Sequence, residues 1–204
     1  MKNTYILILF VTFLAFVTAC SPTLKVDRVD PTTQTDLTGK WNDTDARLVS
    51  EEMINDVLDK PWYEQFKKDH NNLNPVVIVG AVRNETMEHI DTKIFTKEIE
   101  RVFINSGLVD VVASSEERGE IRQERVEQQS FASLESVKAM GRELGADLML
   151  IGNVSSIKDQ SINKRQSALF YTVNMELIDI ETNRKLWFGN KQIKKIVQKR
   201  GLGR

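Results

Sequence analysis

The segment that most limits how this chain can fold is Pro75-Val76-Val77-Ile78-Val79. An unbroken β-branched run has no wet side, so it reads as a strand buried on both faces, which other elements must cover. Helical patterns flank it. Asp43 is placed to cap a helix whose Ala46, Val49, Met53 and Val57 recur at three- and four-residue spacing, and Pro61 stops it. Trp62 and Phe66 mark a short second helical piece that runs to the polar turn His70-Asn71-Asn72.

Beyond the loop Arg83-Asn84-Glu85-Thr86, Asp91 is positioned to cap a helix with Phe95, Ile99, Val102 and Phe103 on one side and Gly107 at its end. Val109 to Val112 returns as a strand, giving a strand-helix-strand unit with a right-handed crossover. Residues 115–129 are charged nearly throughout, with Ile121 and Val126 as apolar points, and predict a solvated helix packed by a narrow edge. From Ser133 a more amphipathic helix is expected, with Leu134, Val137, Met140 and Leu144 inward and Gly145 as its stop. Leu148-Met149-Leu150-Ile151 predicts a third apolar strand. From Tyr171, Val173, Met175 and Leu177 alternate with Thr172, Asn174 and Glu176, so the next strand has one wet side. Glu181-Thr182-Asn183-Arg184 turns the chain into a partner strand holding Leu186, Trp187 and Phe188. The fold class expected is α/β (α+β): a mixed β-sheet with helices on one face, ending in an antiparallel hairpin.

The N-terminus follows a different pattern. Lys2 is the only charge before an apolar run from Tyr5 to Val17, which is too short for a stable membrane span and matches a signal-peptide core. The run closes on Val17-Thr18-Ala19-Cys20, which resembles the bacterial lipobox. That resemblance implies cleavage between Ala19 and Cys20 and a lipid on the Cys20 thiol. Ser21 stands where an aspartate would imply inner-membrane retention, so the expected location is the outer membrane, facing the periplasm. Cys20 is the only cysteine, so the mature domain forms no internal disulfide and must stand on its core. Residues 1–19 therefore read as the signal peptide and 20–36 as the lipidated cysteine with a short tether. The single domain spans 37–204. Ser21 to Asp36, with Pro22 and Pro31, is poor in apolar residues and reaches about 50 to 60 Å when fully stretched.

Chemistry-bearing constellations are sparse. His70 and His89 are the only imidazoles, and metal-ligand spacing is absent, so neither a metal nor a cofactor is expected. Glu88-His89-Ile90-Asp91 is the one place where an acid or base pair would be sought, and a role for His89 at the start of a helix is the simpler reading. Gly80 lacks the further glycines of a phosphate-binding turn. Lys and Arg total 28 against 29 Asp and Glu, so no strong field points to nucleic acid. The basic end, with Lys191, Lys194, Lys195, Lys199 and Arg200, reads as a solubilising tail, with contact to anionic lipid or glycan as the alternative.

Four segments, in order, resemble the outer-membrane lipoprotein activators of bifunctional penicillin-binding proteins, the LpoB type. They are 37–43 (Leu37-Thr38-Gly39-Lys40-Trp41-Asn42-Asp43), Asn84-Glu85-Thr86 with His89-Ile90-Asp91, Gly145-Ala146-Asp147 through Gly152, and Leu177-Ile178-Asp179-Ile180-Glu181-Thr182 through Trp187. The resemblance implies a fold similar to the N-terminal domain of TolB. It also implies a non-enzymatic role with no small-molecule substrate: binding a penicillin-binding protein, a peptidoglycan synthase, and stimulating it. Known members carry a longer, proline-rich tether than residues 21–36 provide. Gln128, Gln129, Phe131 and Ser133 form the candidate partner surface, with Phe131 either exposed between two helices or capping the core. The alternative is a structural or secretion-assembly lipoprotein of the curli-secretion type, which shares a similar small domain and anchor.

Overall fold

The computed structural model describes residues 25–131 and 144–199. They belong to two units, Met1–Thr33 and Gln34–Arg204. In the first, Asp30 closes a turn by accepting from the amide and hydroxyl of Thr32, at 2.8 and 2.6 Å.

The second unit is built on a five-stranded sheet in the order β2-β1-β3-β4-β5. Its strands are β1 (Val76–Asn84), β2 (Asp110–Val112), β3 (Leu148–Gln160), β4 (Gln166–Asp179) and β5 (Lys185–Gln198). The Val76–Val79 run lies in β1, which pairs in parallel with β2 on one side and β3 on the other. The rest is an antiparallel meander, β3 to β4 to β5. The expected mixed sheet and terminal hairpin are both present.

Among the described residues four helices accompany the sheet: α1 (Asp43–Leu58), α2 (Trp62–Asp69), α3 (Lys93–Ser106) and α4 (Ser115–Phe131). Val49, Met53 and Val57 of α1, Trp62 and Phe66 of α2, and Phe95, Ile99 and Phe103 of α3 join one core with Val77, Leu148, Leu150, Val173, Met175 and Leu177 of the sheet. One sheet face thus carries the helices. This arrangement follows from period: three- and four-residue spacing on the helices meets two-residue spacing on the strands.

Local chemistry shifts some boundaries. Asn42, not Asp43, caps α1, because its side chain reaches the Asp45 amide (3.1 Å) while the Asp45 carboxylate accepts from the Asn42 amide (3.0 Å), a closed capping box. Asp91 serves α3 from one position further out, accepting from the Lys93 amide at 3.0 Å. Gly107 ends α3 in the left-handed conformation, at φ 65°. On α4, Ile121 and Val126 are 41% and 50% exposed, and the helix is held to α3 by charge, Lys93 to Glu116 at 3.2 Å and Lys97 to Glu117 at 2.5 Å. The helix expected from Ser133, with Leu134, Val137 and Met140 inward, lies outside the described residues, and Leu144 is 63% exposed rather than inward.

The largest difference is at the C-terminal end. Lys191 to Gln198 is not a tail but the second half of β5, paired residue by residue with Gln166–Val173. Lys191, Ile193, Lys195 and Val197 share one face and Lys194 and Ile196 the other, a pattern that becomes a strand because β4 supplies the hydrogen-bonding partner. By the same cause β3 and β4 run past the short apolar stretches that announce them.

Candidate interaction surfaces

The Asn84-Glu85-Thr86 turn is tied by side chains. The Asn84 Oδ1 accepts from the Thr86 amide (3.0 Å) and hydroxyl (2.8 Å), and the Asn84 Nδ2 donates to the Glu88 carbonyl at 2.7 Å. This turn directs Glu88 toward the sheet. There its Oε1 accepts from the Tyr171 hydroxyl at 2.8 Å and its Oε2 from the Trp41 amide at 3.1 Å. Tyr171 is fully buried, and burial, together with its bond to Glu88, pushes the phenol well above the usual tyrosine range. The Trp41 ring stands edge-on to Phe95 and Tyr171, with centroids 5.5 and 5.4 Å away. Glu88 therefore fastens segment 37–42 onto the sheet. His89 is exposed and Asp91 accepts from the Lys93 amide at the start of α3, so the acid and base residues clustered in sequence do not converge.

A second fastening lies at the distal end of β5. The Lys195 ammonium, its side chain only 11% exposed, sits 2.6 Å from Asp45 and 2.7 Å from Asp36, and donates to the Lys40 carbonyl at 3.1 Å. Burial alone would lower the lysine, but the bonds to Asp36 and Asp45 outweigh it and raise Lys195 above its usual value. The same Asp45 closes the α1 capping box, so one carboxylate links a helix start, the preceding loop and an edge strand.

The sheet face away from the helices carries a row of amides in register: Asn153 of β3, Asn174 of β4 and Asn190 of β5. Asn190 donates to Asn174 at 2.7 Å, Asn174 to Asn153 at 3.3 Å, and Asn153 to the Glu85 carboxylate at 2.6 Å. Ser155, Thr172 and Gln192 form the next row, and Ile151, Glu176 and Phe188 the row on the other side, with Phe188 55% exposed. Such a row, with aligned amide dipoles beside an exposed aromatic ring, offers donors, acceptors and an apolar anchor on one flat surface.

Of the partner-surface residues expected from sequence, Gln128 is half-buried on α4 and donates to Glu124 at 3.0 Å, Gln129 is exposed, and Phe131 closes the helix. Ser133, Ala19 and Cys20 lie outside the described residues. The asparagine row was missed in sequence, although Asn174 falls on the wet side of an alternation; its neighbours become visible only when strand register is known. Among the described residues no group of three or more His, Cys, Asp or Glu is arranged to hold a metal ion, and no helix is long and apolar enough to cross a membrane.

Comparison with known proteins adds a family. The sequence model of the family described as peptidoglycan-synthase activator LpoB matches residues 45–193, more than half of the chain. Among solved structures, the LpoB C-terminal domain from Salmonella enterica is 17% identical, covering 66% of this chain and 94% of its own, with a TM-score of 0.35. The LpoB C-terminal domain from Escherichia coli is 16% identical, with 67% and 100% covered and a TM-score of 0.36. A PelC dodecamer from Paraburkholderia phytofirmans is 15% identical, with 60% and 73% covered and a TM-score of 0.34. No curated protein matches.

Proposed function

Because the chain belongs to the LpoB family of peptidoglycan-synthase activators, we propose that it is a lipoprotein regulator that binds and activates a bifunctional penicillin-binding protein during cell-wall synthesis. The observation that carries this reading is the family match itself, which spans the domain from α1 to the middle of β5. The protein acts without an active site of its own, held by lipid on Cys20 to the outer membrane and facing the periplasm. Activation is a population shift: the regulator binds the active synthase conformation more tightly than the resting one.

Two surfaces compete for the synthase. One is the surface expected from sequence, Gln128, Gln129 and Phe131 on α4 together with Ser133; the other is the asparagine row with Phe188. The test starts with pull-down from membranes using the tagged, lipid-bearing chain beside Cys20→Ala, followed by a glycan-polymerisation assay with the captured synthase. Recovery of a penicillin-binding protein whose polymerisation rate rises on adding the lipoprotein is the expected result. Recovery of secretion components or only of self-copies overturns it in favour of the assembly role. Phe131→Glu and Asn174→Glu then separate the surfaces, since only the variant in the true contact loses stimulation while keeping its unfolding temperature.

A further inference from the structure

β2 pairs with β1 only through Val76, Val77 and Ile78, so among the described residues the outer edge of β1 runs on beyond Ile78 without a strand beside it. At that point β1 also bulges: Val79 is opposite Leu150 and Val82 opposite Gly152, leaving one extra residue in the Gly80-Ala81 stretch. A Cβ added at Gly80 would lie 3.0 Å from both the Leu150 carbonyl and the Ile151 side chain, so a larger residue there needs its neighbours to give by a few tenths of an ångström. Bulges that re-aim a strand are over-represented beside functional sites.

Against this bulge opens a cavity of about 430 Å³, within the range of small-ligand sites. One wall is apolar, from Ile78 to Val82 with Met149. The opposite wall comes from α3 and the start of α4 and carries Lys93, Lys97, Glu100, Glu116, Glu117 and Arg118. The partners on this wall are unevenly shared. Lys97 binds Glu100 at 2.7 Å and Glu117 at 2.5 Å, Lys93 binds Glu116 at 3.2 Å, and Glu117 also accepts from the Ser114 amide at 2.8 Å. All three carboxylates are thereby engaged. Among the described residues Arg118 pairs with no carboxylate, and its buried Nε meets no acceptor. A buried guanidinium donor left unmet is costly, and a charged acceptor relieves that cost best.

We propose that this cavity is a binding site for a carboxylate on a short apolar stem, with the carboxylate on Arg118 and the stem against Ile78, Val79, Val82 and Met149. Two sources carry that chemistry: a free organic acid, or an acidic side chain of an extended peptide lying along the open edge of β1. The lysines set the selectivity, since they keep the cavity's own carboxylates from competing for the guanidinium.

The experiment titrates the full chain in detergent with hexanoate, with hexanamide, and with a blocked pentapeptide of alternating Val and Glu, following the Arg118 Nε–H resonance and the amides of residues 79–82 by NMR. Hexanoate or the peptide is expected to shift the Nε–H resonance saturably, hexanamide to bind much more weakly, and Arg118→Gln to weaken binding about tenfold or more, the scale of one charge-assisted hydrogen bond. Stronger binding of the peptide, with shifts at residues 79–82, assigns the site to a polypeptide; comparable binding of hexanoate assigns it to a free acid. Ala81→Trp, which fills the cavity from the strand side, is expected to abolish binding with Arg118 intact. Saturable binding by neither carboxylate, equal binding of hexanamide, or affinity unchanged in Arg118→Gln overturns the proposal.

Discussion

Removing one oxygen from the middle of the molecule tests whether Glu88 is a fastener. Tyr171→Phe keeps the ring that packs against Trp41 and leaves no cavity of consequence, but it deletes the hydroxyl that donates to Glu88 Oε1 at 2.8 Å. A hydrogen bond to a charged group contributes about 1.5 to 3 kcal/mol. Glu88 is only half-buried, so water replaces part of what is lost, and the expected destabilisation is about 1 to 2 kcal/mol. For a domain of this size that lowers the unfolding temperature by about 2 to 8 °C. The assay is urea unfolding of wild type, Tyr171→Phe, Glu88→Gln and the double variant, followed by Trp fluorescence and by circular dichroism so that two-state behaviour is checked. Coupling in the cycle of at least about 0.5 kcal/mol is expected for residues in direct contact. Additive effects, or a Tyr171→Phe variant as stable as wild type, would refute the fastening argument and reopen Glu88 for another role.

Three further outcomes follow from the same structure. Lys195→Met leaves Asp45, with a side chain only 4% exposed, as an unpaired buried charge, so it should destabilise by about 3 to 5 kcal/mol in chemical denaturation, while adding Asp45→Asn should recover a large part of the loss. The Glu117 carboxyl is held down to about 2, first by its bond to Lys97 and then by the Ser114 amide. Because its folded value lies below the usual one, its stabilisation is present above about pH 4.5 and disappears as pH falls toward 2; the α3–α4 contact should loosen over that window, and a carboxyl ¹³C titration centred near 4.5 would contradict this. In Lys97→Ala the same titration should move upward, because the main cause of the depression is gone.

Much of the fold is legible in residue order. Val76 to Val79 announces a strand covered on both sides, the Val49, Met53, Val57 and Phe95, Ile99, Phe103 spacings announce two core helices, and the Val173, Met175, Leu177 alternation announces a half-wet strand. These signals are local, because each depends only on how side chains recur along one element. The family was legible as well, through the ordered segments around Asn42, Asn84, Asp147 and Asp179. Structure shows what those segments do: the Asn42 capping box, the Asn84 turn, an Asp147 side chain that accepts from the Val76 amide at 2.8 Å, and an Asp179 that accepts from the Thr182 amide at 2.8 Å.

What residue order determined by itself was the kind of element, the face each one buries and the turns that join them, since backbone sterics and hydrophobic periodicity act within a few residues. Only the tertiary structure decided the rest. Lys195 looks like one more cation of a basic tail until β4 draws it into register beside the start of α1, where two aspartates wait. Asn153, Asn174 and Asn190 become one row only when three strands align, and Arg118 is one charge in a charged helix until the lysines of α3 pair with Glu116 and Glu117 beside it. Hydrogen bonds and ion pairs act over a few ångströms of space, and which distant residues come within that range is set by register and packing rather than by sequence separation.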